Sequence, residues 1–264
     1  MIKAIISDID GTLLNKKLEY TPRLVAAIEA AEAKGVVFTL ATGRMYSSAK
    51  NAVRGLEIKV PIICYNGAYI REFSSETILY QQTLDAVSAK TILRVCQQNN
   101  WHVQYYINDE LFCATDNALI QKYAQMTGVP HYILGDAFYT PTASISKILL
   151  IEEQGDLHAI RQTLQATGAD VDFTSSKPSF LEIIPKGVSK GEAIKRLAAY
   201  LNISTDEIMA VGDSFNDLEM LQAVGHGVAM GNAEQALKNV AKHVTDHHDS
   251  DGLAKAIERY VLGV

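Results

Sequence analysis

The chain has 264 residues, 48% of them hydrophobic and 20% charged, with a formal net charge of −6 at pH 7. This is an ordinary globular balance, at a length that allows one large core or two modest domains. An acidic balance without a lysine- or arginine-rich run argues against a nucleic-acid surface, and no apolar run approaches membrane-spanning length, so an anionic ligand requires a local cationic site. In chain order, Ile2 to Ser7 reads as a short buried parallel strand that runs straight into Asp8-Ile9-Asp10-Gly11-Thr12-Leu13. Thr21-Pro22 supplies an N-cap and first helical position for a helix through Lys34, which Gly35 ends. Val36 to Ala41 is a second buried strand closed by Thr42-Gly43-Arg44, Met45 to Leu56 a helix, and Pro61 to Tyr65 a third strand ending at Asn66-Gly67. A β-α-β-α-β run of this kind predicts a parallel sheet with helical crossovers.

From Tyr69 the pattern changes. Tyr69 to Leu84 reads as a hairpin around Ser74-Ser75, Asp85 to Asn100 as a helix, and the segments flanking Asn108-Asp109 as paired short strands. Asp116 to Met126 is helical, and Pro130, Gly135 and Pro141 mark a loop-rich middle. Ser146 to Glu152 is strand-like, Leu157 to Thr167 helical, and Val171 to Ser175 with Phe180 to Ile184 form a further strand pair. After Pro185 the parallel pattern returns, with a helix from Ser189 to Leu201 and a capping box at Ser204 and Glu207. A strand from Ile208 to Val211, a helix from Asn216 to Val224, a strand from Gly227 to Met230 and a closing helix from Leu253 to Val261 complete it. The expectation is a discontinuous core, residues 1–83 and 186–264, with an α/β cap of residues 84–185 inserted between the halves.

Two strand ends carry carboxylates. Asp8 and Asp10 follow the first strand, and Gly212-Asp213-Ser214-Phe215-Asn216-Asp217 follows the strand at Ile208 to Val211. Ligands of open α/β sheets lie beyond the carboxyl ends of the strands, so the corners become neighbours if both strands are central. Clustered carboxylates share a cation or a proton. A few protein carboxylates, with water and phosphate completing the shell, suit Mg²⁺, and Asp8, Asp10 and Asp213 are the candidate ligands. Thr42 and Gly43, at a strand end that opens a helix, offer a hydroxyl and free amides to phosphate oxygens. Lys190, just after the N-cap candidate Ser189, opposes the helix dipole unless an anion lies nearby.

These segments resemble, in order and over essentially the whole chain, the haloacid dehalogenase superfamily, and within it the Cof-type sugar-phosphate phosphatases. The resemblance rests on Asp8 to Leu14, Ala41-Thr42-Gly43-Arg44, Asn66-Gly67-Ala68, Lys186 to Gly191, Gly212 to Asp217, and Ala229-Met230-Gly231-Asn232-Ala233. It implies an α/β fold with a Rossmann-like parallel-sheet core and an inserted α/β cap. It also implies a Mg²⁺-dependent phosphomonoester hydrolase acting on small phosphorylated metabolites, sugar phosphates foremost, through an aspartyl-phosphate. Asp8 is then the nucleophile and Asp10 the general acid and base, with Asp10 also giving its backbone carbonyl to the metal. Lys190 is the second cation, favoured over Lys186 in its loop. Asn216 donates to the phosphate, and Asp217 supports the metal's waters or Lys190. A phosphomutase using the same site and a non-enzymatic aspartate phosphoacceptor switch are the competing readings. Neither a nucleic-acid nor a membrane partner is expected, and the oligomeric state stays open.

Other residues carry weaker signals. Arg44 is either a substrate contact or a solvated helix-start arginine, and Asn66 and Asn232 are either pocket-rim or turn residues. His243, His247 and His248, among Asp246, Asp249 and Asp251, fit no zinc or calcium pattern and read as loop residues. Trp101, His102, Tyr105 and Tyr106 read as packing residues first, with a substrate contact by one or two of them the alternative. The cysteines, Cys64, Cys96 and Cys113, lie in apolar stretches without ligand spacing. Together with a start that lacks a signal-peptide pattern, they make a reduced, cytoplasmic protein the expectation.

Overall fold

A computed structural model describes all of residues 1–264. The chain opens with β1 (Ala4–Ser7), α1 (Pro22–Ala33), β2 (Val37–Leu40), α2 (Tyr46–Ala52) and β3 (Ile62–Cys64), followed by the hairpin β4 (Tyr69–Arg71) and β5 (Ile78–Gln81). The middle holds α3 (Ala86–Gln98), β6 (Val103–Ile107), β7 (Glu110–Cys113), α4 (Ala118–Thr127), β8 (His131–Ile133), β9 (Lys147–Ile151), α5 (Leu157–Gln165), β10 (Val171–Thr174) and β11 (Phe180–Pro185). The last part is α6 (Lys190–Leu201), β12 (Ile208–Gly212), α7 (Leu218–Ala223), β13 (His226–Ala229), α8 (Gln235–Val240), β14 (His243–Val244) and α9 (Gly252–Ile257).

The main sheet has five strands in the order β14-β13-β12-β1-β2, all parallel. β1 lies between β12 and β2, so the two carboxylate-bearing corners emerge side by side. Both faces are covered, as parallel sheets require. Ile5, Met209 and Val211 pack on one face with Leu24 and Ile28 of α1 and Leu253 and Ile257 of α9. Ala4, Ile6, Ile208 and Ala210 pack on the other with Ile194 and Leu197 of α6 and Met220 and Leu221 of α7. The period-2 alternation of these strands is therefore a division between two apolar layers. Thr21 caps α1 by accepting from Leu24 N, and Ser189 caps α6 by accepting from Glu192 N. The capping box at Ser204 and Glu207 is formed.

The third strand departs from expectation. β3 touches the parallel sheet only through a bridge between Ala41 and Ile63, and otherwise pairs antiparallel with β4 in a three-stranded sheet. Pro61 has no N–H to donate to a ladder, and the chain turns into the left-handed region at Tyr65 and Asn66 immediately afterwards. The helix expected through Leu56 ends at Ala52, and the one expected from Asn216 begins as a short 3₁₀ turn, Phe215–Asp217, before α7. His243 belongs to β14, against the loop expectation, with its ring stacked on Tyr260.

The inserted cap is a six-stranded sheet in the order β10-β11-β9-β6-β7-β8, antiparallel except for β7 with β8, and accompanied by α3, α4 and α5. β8 falls in the stretch expected to be loop. Tyr105 and Tyr106 are fully buried, Tyr105 stacking on Phe138. The three cysteines are buried and unpaired. No helix is long and apolar enough to cross a membrane.

The cap is seated on the segment that follows β2. Asp109, in the β6–β7 turn, accepts hydrogen bonds from Tyr46 N and Ser47 N at 2.8 Å each, and from Tyr65 Oη at 2.8 Å. Ser48 Oγ donates to Thr127 O at 3.0 Å and Asn51 to Gly128 O at 3.0 Å. Gln82, just after β5, and Lys186, just after β11, are joined by a 3.0 Å bond from Gln82 Nε2 to Lys186 O.

Candidate active site

Asp8 begins where β1 ends, its N–H still in the ladder to Val211 O at 2.9 Å. Its side chain is buried, and its Oδ1 lies 2.6 Å from Lys190 Nζ. Lys190 is wholly buried and is also 2.6 Å from Asp217 Oδ1. The remaining oxygen of Asp217 accepts from Asp213 N at 2.9 Å and Ser214 N at 3.0 Å. Lys190, on the first turn of α6, therefore has the anions its unfavourable dipole position calls for, and Asp217 uses both oxygens to fix that lysine and the 213–214 turn. Lys186 is elsewhere, in an exposed pair with Asp172.

Three carboxylates, Asp8, Asp213 and Asp217, bring oxygens within 4.8 Å of one another. Burial pushes the Asp8 carboxyl well above its ordinary range, with the charges of Asp217, Asp213 and Asp10 adding to the rise and Lys190 opposing it. Burial, then the charge of Asp217, pushes Asp213 up to about 6. Thr12 Oγ1 donates to Asp213 Oδ1 at 3.0 Å, and Asn232 Nδ2 reaches both Gly11 O at 2.8 Å and Asp213 Oδ2 at 3.2 Å. Asn232 is thus a holder of this corner rather than a rim residue. Gly11 has φ +75, and a Cβ there would stand 2.4 Å from Asp213 Oδ2, so glycine lets the two corners meet. Hard oxygens, a surplus of negative charge and raised carboxyl pKa values fit a small divalent cation. Asp8 and Asp213 are the side chains best able to hold it: Asp8 keeps Oδ2 without a hydrogen bond and Asp213 meets only neutral side-chain donors, whereas Asp217 is tied to the Lys190 ammonium on one oxygen and to two backbone N–H groups on the other.

The Asp10 side chain is not part of that cluster. Its carboxylate is gripped by Arg44 in a two-point fork, Nε to Oδ2 at 2.7 Å and Nη2 to Oδ1 at 2.8 Å. Burial alone would raise the Asp10 carboxyl, but the hydrogen bonds and charge of Arg44 outweigh it and hold the group below its usual range. Arg44 is buried and also bonds Ser48 Oγ at 3.2 Å. Of its two readings, the solvated helix-start arginine is excluded by this burial.

Asp8, Asp10, Thr42, Gly43, Arg44 and Asn216 open onto one small cavity of about 30 Å³, whose far wall is the cap: Tyr123, Met126, Lys147, Leu149, Lys177, Phe180 and Glu182. Thr42 Oγ1 accepts from Arg44 N at 3.1 Å. A buried chain of bonds crosses from cap to core. Lys147 Nζ donates to Glu182 Oε2 at 2.7 Å and Gly43 O at 2.5 Å, Asn66 Nδ2 donates to Glu182 Oε2 at 2.8 Å, and Asn216 Nδ2 donates to Asn66 Oδ1 at 2.9 Å. Despite full burial, the charge and hydrogen bond of Lys147 keep Glu182 below its ordinary pKa.

Lys147 and Glu182 were not foreseen as site residues. Each is a lone charge in an apolar strand, Lys147-Ile-Leu-Leu-Ile and Phe180-Leu-Glu-Ile-Ile. Glu182 is opposite Leu149 in the β11–β9 ladder, so Lys147, two residues from Leu149, shares its face. Opposite charges isolated on one strand face are the signal that points to them. Of the histidine group, His247, His248 and Asp249 approach one another, but His247 Nδ1 accepts from Asp249 N and His248 Nδ1 meets Leu14 O.

A family model of the haloacid dehalogenase-like hydrolases matches residues 5–257. The chain belongs to that family. A Haemophilus influenzae relative is 31% identical over 263 residues, covering 98% of each chain. The 5-amino-6-(5-phospho-D-ribitylamino)uracil phosphatase YitU of Bacillus subtilis is 28% identical over 262 residues, covering 97% of this chain and 96% of its own. The crystal structure of a haloacid dehalogenase-like hydrolase from Bacteroides thetaiotaomicron superposes with a TM-score of 0.86 at 30% identity, covering 98% of this chain and 99% of the other. The chain is accordingly an enzyme of the phosphatase type, built as an α/β core with an inserted cap.

Proposed function

We propose that this hydrolase is a Mg²⁺-dependent phosphomonoesterase acting on small phosphorylated metabolites, sugar phosphates foremost, by way of a phosphorylated Asp8. The division into a core of residues 1–83 and 186–264 and a cap of 84–185 is part of this reading. The observation that carries it is the 2.6 Å contact of Lys190 with Asp8 at the central strand end, beside Asp213. A carboxylate approaching a phosphate dianion meets a repulsion of roughly 4 kcal/mol per unit charge pair at 4 Å and an effective dielectric near 20. Lys190 offsets part of it. A divalent ion held by the side chains of Asp8 and Asp213 and the Asp10 carbonyl, when bound, supplies further positive charge to the phosphoryl oxygens.

In the first half-reaction an oxygen of Asp8 attacks phosphorus, the ester P–O bond breaks, and Asp10 protonates the departing alkoxide. In the second, Asp10 takes a proton from water, whose oxygen attacks phosphorus. The bond to Asp8 breaks and inorganic phosphate leaves. Thr42, the Gly43 amide and the second N–H of Asn216 are donors for phosphoryl oxygens. Arg44 orients Asp10 in its ionised form, the form the second half-reaction needs. Before the first, Asp10 has to part from Arg44 and take up a proton. The ribityl 5-phosphate of the YitU substrate is of the proposed class.

The test measures inorganic phosphate released from a panel of sugar phosphates with Mg²⁺, by wild type and Asp8→Asn. Release by wild type, with at least a 10³-fold loss (order of magnitude) in the variant and an unchanged melting profile, is expected, since removing a nucleophile's charge removes the covalent route. Wild-type activity retained in Asp8→Asn, or an isomerised phosphoester in place of free phosphate, would overturn the reading.

A further inference from the structure

The charged side chains facing the reaction cavity are paired with opposite charges, with one exception. Asp10 is held by Arg44, Glu182 by Lys147 and Asp8 by Lys190. Lys177 pairs with no carboxylate: the hydrogen-bonding neighbour of its Nζ is Met126 Sδ at 3.1 Å, and its ammonium stands 5.4 Å over the Phe180 ring. A thioether is a weak acceptor, and an ammonium carries three donors. Set between Met126 and Phe180 at the cavity wall, the group has given up part of its hydration without a carboxylate in return.

The segment bearing it is firmly placed. Lys177 O accepts from Ser175 Oγ at 2.7 Å and Phe180 N at 3.0 Å. The neighbouring Ser176 donates its hydroxyl to buried Glu182 and accepts at its carbonyl from Ser214 Oγ of the core at 3.4 Å. Lys177 is thus held at the cavity by a loop tied to both cap and core. Lys190 belongs to α6 of the core, where it is held against Asp8. The phosphoryl group is gripped from the core, so the alcohol that leaves projects toward the cap, and Lys177 stands on that side.

We propose that Lys177 is a specificity-determining residue that recognises a second anionic group, a carboxylate or a second phosphate, on the alcohol portion of the substrate. This rests on the phosphatase reading and narrows it, from sugar phosphates in general to phosphorylated sugar acids and bisphosphates.

Matched pairs test it: 3-phosphoglycerate against glycerol 3-phosphate, 6-phosphogluconate against glucose 6-phosphate, and fructose 1,6-bisphosphate against fructose 6-phosphate. The readout is the ratio of kcat/KM within each pair, for wild type, Lys177→Met and Lys177→Arg. Wild type is expected to favour the doubly anionic member by about 10- to 100-fold, as for one charge-assisted hydrogen bond. The ratio should collapse toward unity in Lys177→Met, a change that preserves the contacts with Met126 and Phe180, and return in Lys177→Arg. Preference confined to the first two pairs identifies a carboxylate, and to the third a phosphate. Equal losses for both members of every pair in Lys177→Met would place the lysine on the transferred phosphoryl group and overturn the proposal, as would a wild-type ratio near unity. No turnover of any of the six compounds or of p-nitrophenyl phosphate by wild type would instead defeat the phosphatase reading itself.

Discussion

Truncating Asp109 to alanine removes a cap side chain that accepts three hydrogen bonds from the segment beneath it. Its carboxylate accepts the backbone N–H groups of Tyr46 and Ser47, the first helical positions of α2, and the phenol of Tyr65, each at 2.8 Å. Two of these bonds are an N-cap supplied from another part of the chain, since Met45, at the N-cap position, provides no side-chain bond. Loss of a cap costs about 1 kcal/mol, and a hydrogen bond to a charged group contributes roughly 1.5–3 kcal/mol. Against this stands the burial that raises the Asp109 carboxyl above its ordinary range, an ionisation cost that alanine does not bear. The balance predicts a loss of about 2–4 kcal/mol for Asp109→Ala, a fall in Tm of roughly 5–10 °C for a protein of this size. Asp109→Asn keeps one acceptor and should lose about half as much. Thermal unfolding followed by circular dichroism, with a double-mutant cycle against Tyr65→Phe, measures both the total and the phenol's share. A melting temperature within a degree or so of wild type for Asp109→Ala would refute the assignment of this carboxylate as a cap clasp.

Asp10→Asn should lower kcat/KM by about 10²–10⁴ on alkyl phosphates and far less on p-nitrophenyl phosphate, whose leaving group needs no proton; equal losses on both would remove the general-acid role. Mg²⁺ binding, followed by calorimetry, should weaken as pH falls through about 6, because Asp213 must shed a proton to bind and that pKa is raised to about 6. The same shift means that the folded metal-free protein binds a proton the unfolded chain, near 3.8, does not, so this group adds stability as pH falls from about 7 to 5. An affinity flat from pH 7.5 to 5 would contradict it.

Much of the site is legible because its chemistry is tied to strand ends. Asp8 and Asp213 end apolar runs, and a run long enough to be a central strand fixes where its last side chain emerges. Lys190 is legible for a different reason: its place on the first turn of a helix is electrostatically wrong unless an anion is near. Arg44 offers no such anomaly. An arginine before a helix is ordinary, and its partner Asp10 is 34 residues away in a different loop, so only the folded chain shows them facing each other. The third strand fails for a local reason, Pro61 and the left-handed turn at Tyr65 and Asn66, which an apolar run conceals. The lone charges in β9 and β11 were visible, but pairing them requires a strand register that periodicity does not supply.

The seating of the cap has a consequence for how such a protein can diverge. Asp109 reads the N–H groups of Tyr46 and Ser47, Lys147 reads the Gly43 carbonyl, and Ser48 and Asn51 reach the carbonyls of Thr127 and Gly128. In each of these bonds at least one partner is main chain. Main-chain atoms are common to every amino acid but proline's N–H, so the side chains of Tyr46, Ser47 and Thr127 carry none of these bonds' partner atoms. Substitution at those positions leaves the docking vocabulary intact as long as the backbone path survives. Lining residues whose side chains make no cap-to-core bond, Met126 and Phe180 among them, can therefore change one at a time without the lid losing its seat, whereas Lys147 and Glu182 cannot.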